Sequence, residues 1–374
     1  MDFALSDEQV AIRDLAAQIL GDQLPPDRLR ELEETDDDWF ARDVWAELAK
    51  ADLLGLCLPT EHGGGGYGLF ELALILEQVG RHVAPLPVLA TLALGALPVA
   101  RFGTAAQQTE LLPAVIAGDL VLTAALSEGG IGLAPEVPAT VAAPDGDGWR
   151  ITGRKDLVSA FHLAGKVLVP ARTGEGTSTV FLVDPAADGI TSNWNRSMNG
   201  EPLCSLLFES VAVGAEDVVG AVDGGAEVVA WITDRAIAGL AATQAGVCEL
   251  ALRTTATYTS ERKQFDTPIA TFQAVAHRCA DAYIDTEAVR LTAYQAAWRL
   301  AEGMPAAEEL AIAKFWAAEG ADRVVHAAQH LHGGIGVDLD YPVHRAFRWS
   351  KHVGLAFGGG TAHLRRLGAQ LAAS

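Results

Sequence analysis

The sequence predicts an α+β, multidomain chain, because its texture changes twice along its length. Apolar residues recur three and four apart as far as about residue 118. Short β-branched or apolar runs between Gly, Pro and Asp turns then fill residues 121–220, and helical spacing returns from Ala226 to the end. These changes divide the chain into 1–120 (helical), 121–222 (β) and 223–374 (a helical bundle). A length of 374 residues is enough for one large core or two to three smaller ones.

Each block has its own markers. In the first, Ser6 reads as an N-cap, with Val10, Asp14 and Ala17 following one turn apart and Trp45, Leu48 and Ala49 continuing the pattern. The glycines of 63–66 break the block, and 69–79 restart a helix. In the second, residues 149–152, 166–169, 179–183 and 206–208 read as strands, set off by turns at 145–148 and 188–189. In the third, Ile284, Ala288, Leu291, Tyr294, Trp298 and Ala301 form one apolar stripe. Leu310, Ala313, Ala317, Gly320, Val324, Ala327 and Leu331 form another, after a turn at Gly303-Met304-Pro305.

Charge and cysteines narrow the function. With 27 basic and 48 acidic residues the net charge is −21, which repels nucleic acid and anionic lipid. Cys57, Cys204, Cys248 and Cys279 are too scattered for a metal site or a disulfide framework. The N-terminus lacks a basic and apolar targeting pattern, and the run 86–100, broken by Pro87 and Pro98, is too short to span a membrane. A soluble cytoplasmic protein is expected.

Two segments carry chemistry. Residues 260–269 place Arg262 and Phe265 at a helix end, ahead of Phe272-Gln273. Residues 329–336 place Gln329 ahead of Gly333-Gly334-Ile335-Gly336, followed by Tyr341-Pro342-Val343-His344-Arg345. Arg262 can fork onto a pyrophosphate, and Gln329 with the Gly333 and Gly334 amides can receive an adenine-ribose-phosphate edge. Taken singly, Arg262 is a surface ion pair and Gly333-Gly334 a helix C-cap. Together, in this order behind a β block, they are far more specific. Gly63-x-Gly65-x-x-Gly68 matches a dinucleotide fingerprint only formally, since no strand–helix context surrounds it.

These segments resemble the acyl-CoA dehydrogenase family, and the likeness extends over essentially the whole chain. Thr152-Gly153-Arg154-Lys155 is similar to the family's entry to its β domain, and 360–364 to its terminal Gly-Thr segment. The resemblance implies an N-terminal α-helical domain, a central β-barrel domain and a C-terminal four-helix bundle. It also implies FAD shared across subunits, with Arg262, Phe265, Gln273, Gln329, Gly333, Gly334 and Thr361 as cofactor contacts.

The departures from the family pattern matter most. The implied reaction needs a carboxylate to take the α-proton of an acyl-CoA thioester while the β-hydride leaves for the flavin. One expected position reads His344, and another falls on Ala236, with Asp234 close by. On the ring side, the chain has Ser127-Glu128-Gly129-Gly130-Ile131-Gly132 and Leu157-Val158-Ser159 where the family carries Pro and Ser-Asp in its loop and a stacking Trp. This combination is similar to the glutamate-lacking subunit of actinobacterial α2β2 acyl-CoA dehydrogenases of steroid side-chain degradation. That resemblance implies a homologous partner subunit that supplies the base, a bulky acyl-CoA substrate, and an electron-transfer flavoprotein or similar acceptor. A homotetramer using Asp234 or His344 as base, and a flavin-free structural subunit, stay open as alternatives.

Overall fold

The computed structural model describes residues 4–35, 38–129 and 134–373. Six helices come first: α1 Asp7–Gln23, α2 Pro26–Thr35, α3 Arg42–Lys50, α4 Leu69–Arg81, α5 Leu97–Phe102 and α6 Ala105–Ile116. Eight strands follow: β1 Val121–Ala124, β2 Val141–Asp145, β3 Gly148–Ser159, β4 Ala164–Arg172, β5 Ser178–Val183, β6 Ile190–Arg196, β7 Pro202–Val213 and β8 Val218–Val219. Helix α7, Gly225–Glu261, leads to a small hairpin, β9 Lys263–Gln264 and β10 Thr267–Pro268. Helices α8 Gln273–Ala301, α9 Ala307–Phe315, α10 Ala321–His332, α11 Val343–Leu355 and α12 Gly360–Ala373 complete the chain.

The chain divides into two compact units, one of Met1–Glu31, Leu69–Ala84 and Ile237–Ser374, the other of Leu32–Gly68 and Pro85–Ala236. In the second, the strands form one sheet in the order β6-β7-β3-β2-β4-β5-β8, with β1 added beside β4. The path runs from β6 to β8 and makes up the expected central β domain. It encloses a core of Ile151, Val167, Phe181, Leu206, Phe208 and Val211. Alternation along β7 supplies that core, burying every second residue from Pro202 to Phe208.

In the first unit α1 begins as expected, with a reciprocal cap between Ser6 and Gln9. Its buried face is Ile12, Ala16 and Leu20, two to three residues beyond the expected Val10, Asp14 and Ala17. Ile12 and Leu20 bury more apolar area than Val10 and Ala17 would, and burial stabilises in proportion to that area. Helices α4 and α7 approach so closely that a Cβ on Gly80 would strike the Thr243 carbonyl, and one on Gly246 the Glu77 carbonyl.

Helix α8 departs further from expectation. Its buried residues are Ala282, Thr286, Val289, Ala293, Tyr294, Ala296 and Ala297, while Ile284 and Leu291 are exposed. Small side chains let the neighbouring helices close in, and the large aliphatics are displaced to the outer face. A charged cluster ties this packing together. Arg290 meets Glu77 at 3.0 Å, Glu249 at 2.8 Å and Glu287, and the Tyr294 hydroxyl donates to Glu77 at 2.5 Å. Burial alone would lower the guanidinium pKa, but the three carboxylates hold it above its ordinary value.

The last expected stripe, Leu310 to Val324 and Ala327, is buried, with Leu331 half-buried. A π-helical turn, Trp316–Gly320, joins α9 to α10 within it.

Candidate functional site

The end of α7 shapes the first half of the site. The Arg262 N–H donates to the Tyr258 carbonyl at 2.8 Å, closing the last helical turn, and the Arg262 carbonyl accepts from Ile269 at 2.8 Å. Between them the hairpin pairs Thr267 with Gln264 and Pro268 with Lys263. Its two turn residues, Phe265 and Asp266, have φ of 52° and 62°. Two left-handed residues match the twist of a tight hairpin, and the conformation is strained for phenylalanine. The turn holds Phe265 91% exposed, its ring centroid 6.4 Å from that of Phe272 and nearly perpendicular to it. Arg262 and Gln273 are also exposed, and among the described residues the guanidinium has no ion pair.

The second half is the end of α10. Gly333 caps the helix at φ 62°, its N–H donating to the Gln329 and His330 carbonyls, and a 3-10 turn, Gly333–Val337, follows. A Cβ on either Gly333 or Gly334 would meet nothing within 4 Å, so this backbone faces open space. Gly336 is closed, since a Cβ there would lie 3.0 Å from the Gln329 side-chain nitrogen. Thr361 stands exposed in the first turn of α12. An aromatic stack ties the two halves together: the Tyr258 and His332 rings lie 4.4 Å apart at 24°.

The ring-side segments belong to the other unit, and their polar groups are already engaged. Lys155, with a side chain 0% exposed, donates to Glu128 at 2.6 Å. Glu128 also accepts the Ala139 and Thr140 N–H groups. Burial pushes this carboxyl up, but those contacts outweigh it and hold the pKa below the usual range. Asp156 accepts from the Gly129 N–H at 3.1 Å and from Arg154 at 2.8 Å. Beside it Leu157 sits in a β-bulge at φ 58°, partly exposed. Gly130, Ile131 and Gly132 lie outside the described residues.

The two candidate bases differ. His344 is buried in the first turn of α11, one ring nitrogen 2.8 Å from the Tyr341 carbonyl. Asp234 is half-buried beside Arg235, whose guanidinium covers the Trp231 ring at 3.4 Å and is brought by burial to about 10. Sequence reading missed the Glu128–Lys155 pair and the Tyr258–His332 stack. The one signal for the stack was Tyr258 lying a single helical turn before Arg262.

Donors around open backbone at two helix ends suit a diphosphate; the ring-side segments offer an aliphatic residue where an aromatic platform is expected. Helices, a sheet and helices again, with these two motifs, define a flavin-linked dehydrogenase. Family models described as "Acyl-CoA dehydrogenase, N-terminal domain" and "Acyl-CoA dehydrogenase, C-terminal domain" match residues 6–119 and 223–372. The chain belongs to the acyl-CoA dehydrogenase family, FAD-dependent oxidoreductases acting on CH–CH bonds.

Among curated relatives, acyl-CoA dehydrogenase FadE27 of Mycobacterium tuberculosis is 37% identical, covering 100% of this chain and 99% of its own. FadE28 of the same organism is 35% identical, covering 99% of each. Among solved structures, a variant of the Tcur3481–Tcur3483 steroid ACAD is 42% identical with a TM-score of 0.90, over 98% of this chain and 99% of that one. The ChsE4–ChsE5 complex of M. tuberculosis is 37% identical with a TM-score of 0.93, over 100% of both. Among the described residues, no helix is long and apolar enough to cross a membrane.

Proposed function

We propose that this chain is the glutamate-lacking subunit of a cytoplasmic, heterotetrameric acyl-CoA dehydrogenase acting on a bulky, steroid-type acyl-CoA. It lends Arg262, Phe265, Gln273, Gln329, Gly333, Gly334 and Thr361 to the adenine-diphosphate arm of an FAD whose ring lies in the homologous partner subunit. The observation that carries this reading is the contrast between the two sets of groups. Arg262, Gln273 and Thr361 are exposed and Gln329 is half-buried, with open backbone at Gly333-Gly334, whereas Glu128 is spent on Lys155 and the Ala139 and Thr140 amides, and Asp156 on Arg154 and the Gly129 amide. The names of the similar structures, a steroid ACAD with two named components and a two-protein complex, support a two-subunit assembly.

Each group has a part to play. Arg262 neutralises diphosphate charge through a forked donor, and the Gly333 and Gly334 backbone lets phosphate oxygens approach without steric hindrance. Phe265, held outward by its turn, offers an apolar face to the partner's cofactor. The flavin supplies the two-electron acceptor for the β-hydride, and the partner supplies the carboxylate for the α-proton. An electron-transfer flavoprotein or similar acceptor would serve as the electron acceptor of the assembled enzyme.

The test is flavin content and oligomeric mass, for the chain alone and with its homologous subunit. Two FAD per tetramer are expected only for the pair, with Arg262→Ala weakening FAD by about tenfold or more. Unchanged FAD in that variant would instead favour a purely structural subunit. A yellow, active homotetramer of the lone chain would sink the proposal; Asp234→Asn and His344→Gln then identify its base.

A further inference from the structure

We propose that Tyr258, His332 and Tyr341 form a positioning brace that fixes the Gly333-Gly334 turn relative to Arg262, so that FAD affinity in the assembled enzyme depends on their stacking. This rests on the shared-cofactor reading above. Tyr258 and His332 stack at 4.4 Å, and Tyr341 packs against both, with centroids 5.1 Å from His332 and 6.1 Å from Tyr258. The three residues come from the end of α7, the end of α10 and the entry to α11.

The brace is coupled to the cofactor groups by short connections. Tyr258 accepts the Arg262 N–H through its own carbonyl, so a shift of this helical turn moves Arg262 with it. His332 is the residue before Gly333, and it is buried, 4% exposed. Its Nδ1 lies 2.8 Å from the Ala328 carbonyl, and that contact makes Nδ1 the protonated nitrogen, while the ring itself is held by packing against Tyr258 and Tyr341. Gly333 and Gly334 have no side chains to anchor them and face open space. Their position is therefore set from either side, by His332 before the turn and Tyr341 after it. The far side is clamped again where Arg30 reaches the Asp340 carboxylate at 3.2 Å.

The chemistry of His332 separates a brace from a ligand contact. Burial lowers its pKa, so the ring is neutral and adds no charge of its own toward a diphosphate. Its Nε2 is an acceptor, buried and without a hydrogen-bond partner among the described residues. Phenylalanine keeps the planar ring in the stack and has no nitrogen to offer a ligand, so His332→Phe preserves the ring packing while excluding any hydrogen bond from Nε2 to the cofactor.

The experiment uses the complex with the homologous subunit and measures FAD dissociation by flavin fluorescence, alongside the melting temperature of the FAD-free complex. His332→Ala and Tyr258→Leu are expected to weaken FAD about tenfold or more, since small misplacements of binding groups are costly. His332→Phe is expected to bind FAD like the unaltered complex, and none of the three should lower affinity merely in step with melting temperature. Unchanged affinity in His332→Ala overturns the brace, as does a loss in His332→Phe equal to that in His332→Ala. Should His332→Ala not assemble, Tyr341→Leu at the edge of the stack poses the same question. Arg262→Ala is the control: if it too leaves FAD unaffected, the shared-cofactor reading fails; if it alone weakens FAD, only the brace fails.

Discussion

The two regions that the family motifs assign to the flavin have opposite economies of hydrogen bonding. At the end of α7 Arg262 and Gln273 are exposed, and at the end of α10 a half-buried Gln329 precedes the open backbone of Gly333 and Gly334. In the sheet unit, Glu128 is satisfied by Lys155 and nearby amides and Asp156 by Arg154 and the Gly129 amide, beside an exposed aliphatic Leu157. A free donor costs nothing in water and gains on meeting a ligand; a buried ion pair is already committed to the fold. The first region leaves donors available to a ligand, and the second is held together by its own contacts.

Substitutions can break that comparison, beginning with the largest expected effect. Lys155→Met strands the Glu128 carboxylate, largely buried, and should cost about 3–5 kcal/mol of stability in chemical denaturation. Arg262→Ala in the arm region should leave stability within about 0.5 kcal/mol while weakening FAD. If Lys155→Met proves harmless, or Arg262→Ala unfolds the chain, the division of roles is wrong.

A pH series sharpens the picture within the helical unit. Lys314 is fully buried, donates to the Val353 and Gly354 carbonyls at 3.1 and 2.8 Å, and is brought by burial from 10.5 to about 7. Between those values the unfolded chain holds a proton that the folded chain has released. Stability should therefore rise with pH across that window, by at most about 1.4 kcal/mol per unit, and Lys314→Met should flatten the rise. His363, brought by burial from 6.5 to about 4, acts at the acid end. There the unfolded chain again binds the extra proton, so stability should fall as pH drops from 6.5 toward 4, and His363→Gln should reduce that fall.

The smallest effects are local. Phe265→Gly removes a left-handed phenylalanine and should raise the chain's own stability by about 1 kcal/mol, yet weaken FAD in the complex. A gain in stability without loss of FAD would remove Phe265 from the cofactor arm. Ser6→Ala loses the reciprocal cap of α1 and should cost about 1 kcal/mol without touching flavin content.

Much of this was legible in residue order. The strand runs at 149–152, 166–169, 179–183 and 206–208 all fall within strands, because alternation and turn residues act locally. The buried face of α8 was not legible. Ile284 and Leu291 share a helical stripe with Tyr294, but the Ala- and Thr-rich face packs inward, and that choice depends on neighbours distant in sequence. The Glu77–Arg290–Glu249 cluster spans three helices for the same reason.

Sequence alone determined the family, the helix–strand–helix order and the two motifs, since each depends on residues a few positions apart. Tertiary structure decided which donors are exposed, which charges are consumed by the fold, and that Tyr258 stacks on His332. Those outcomes depend on desolvation and ring packing between segments far apart in the chain, and residue spacing carries no record of either.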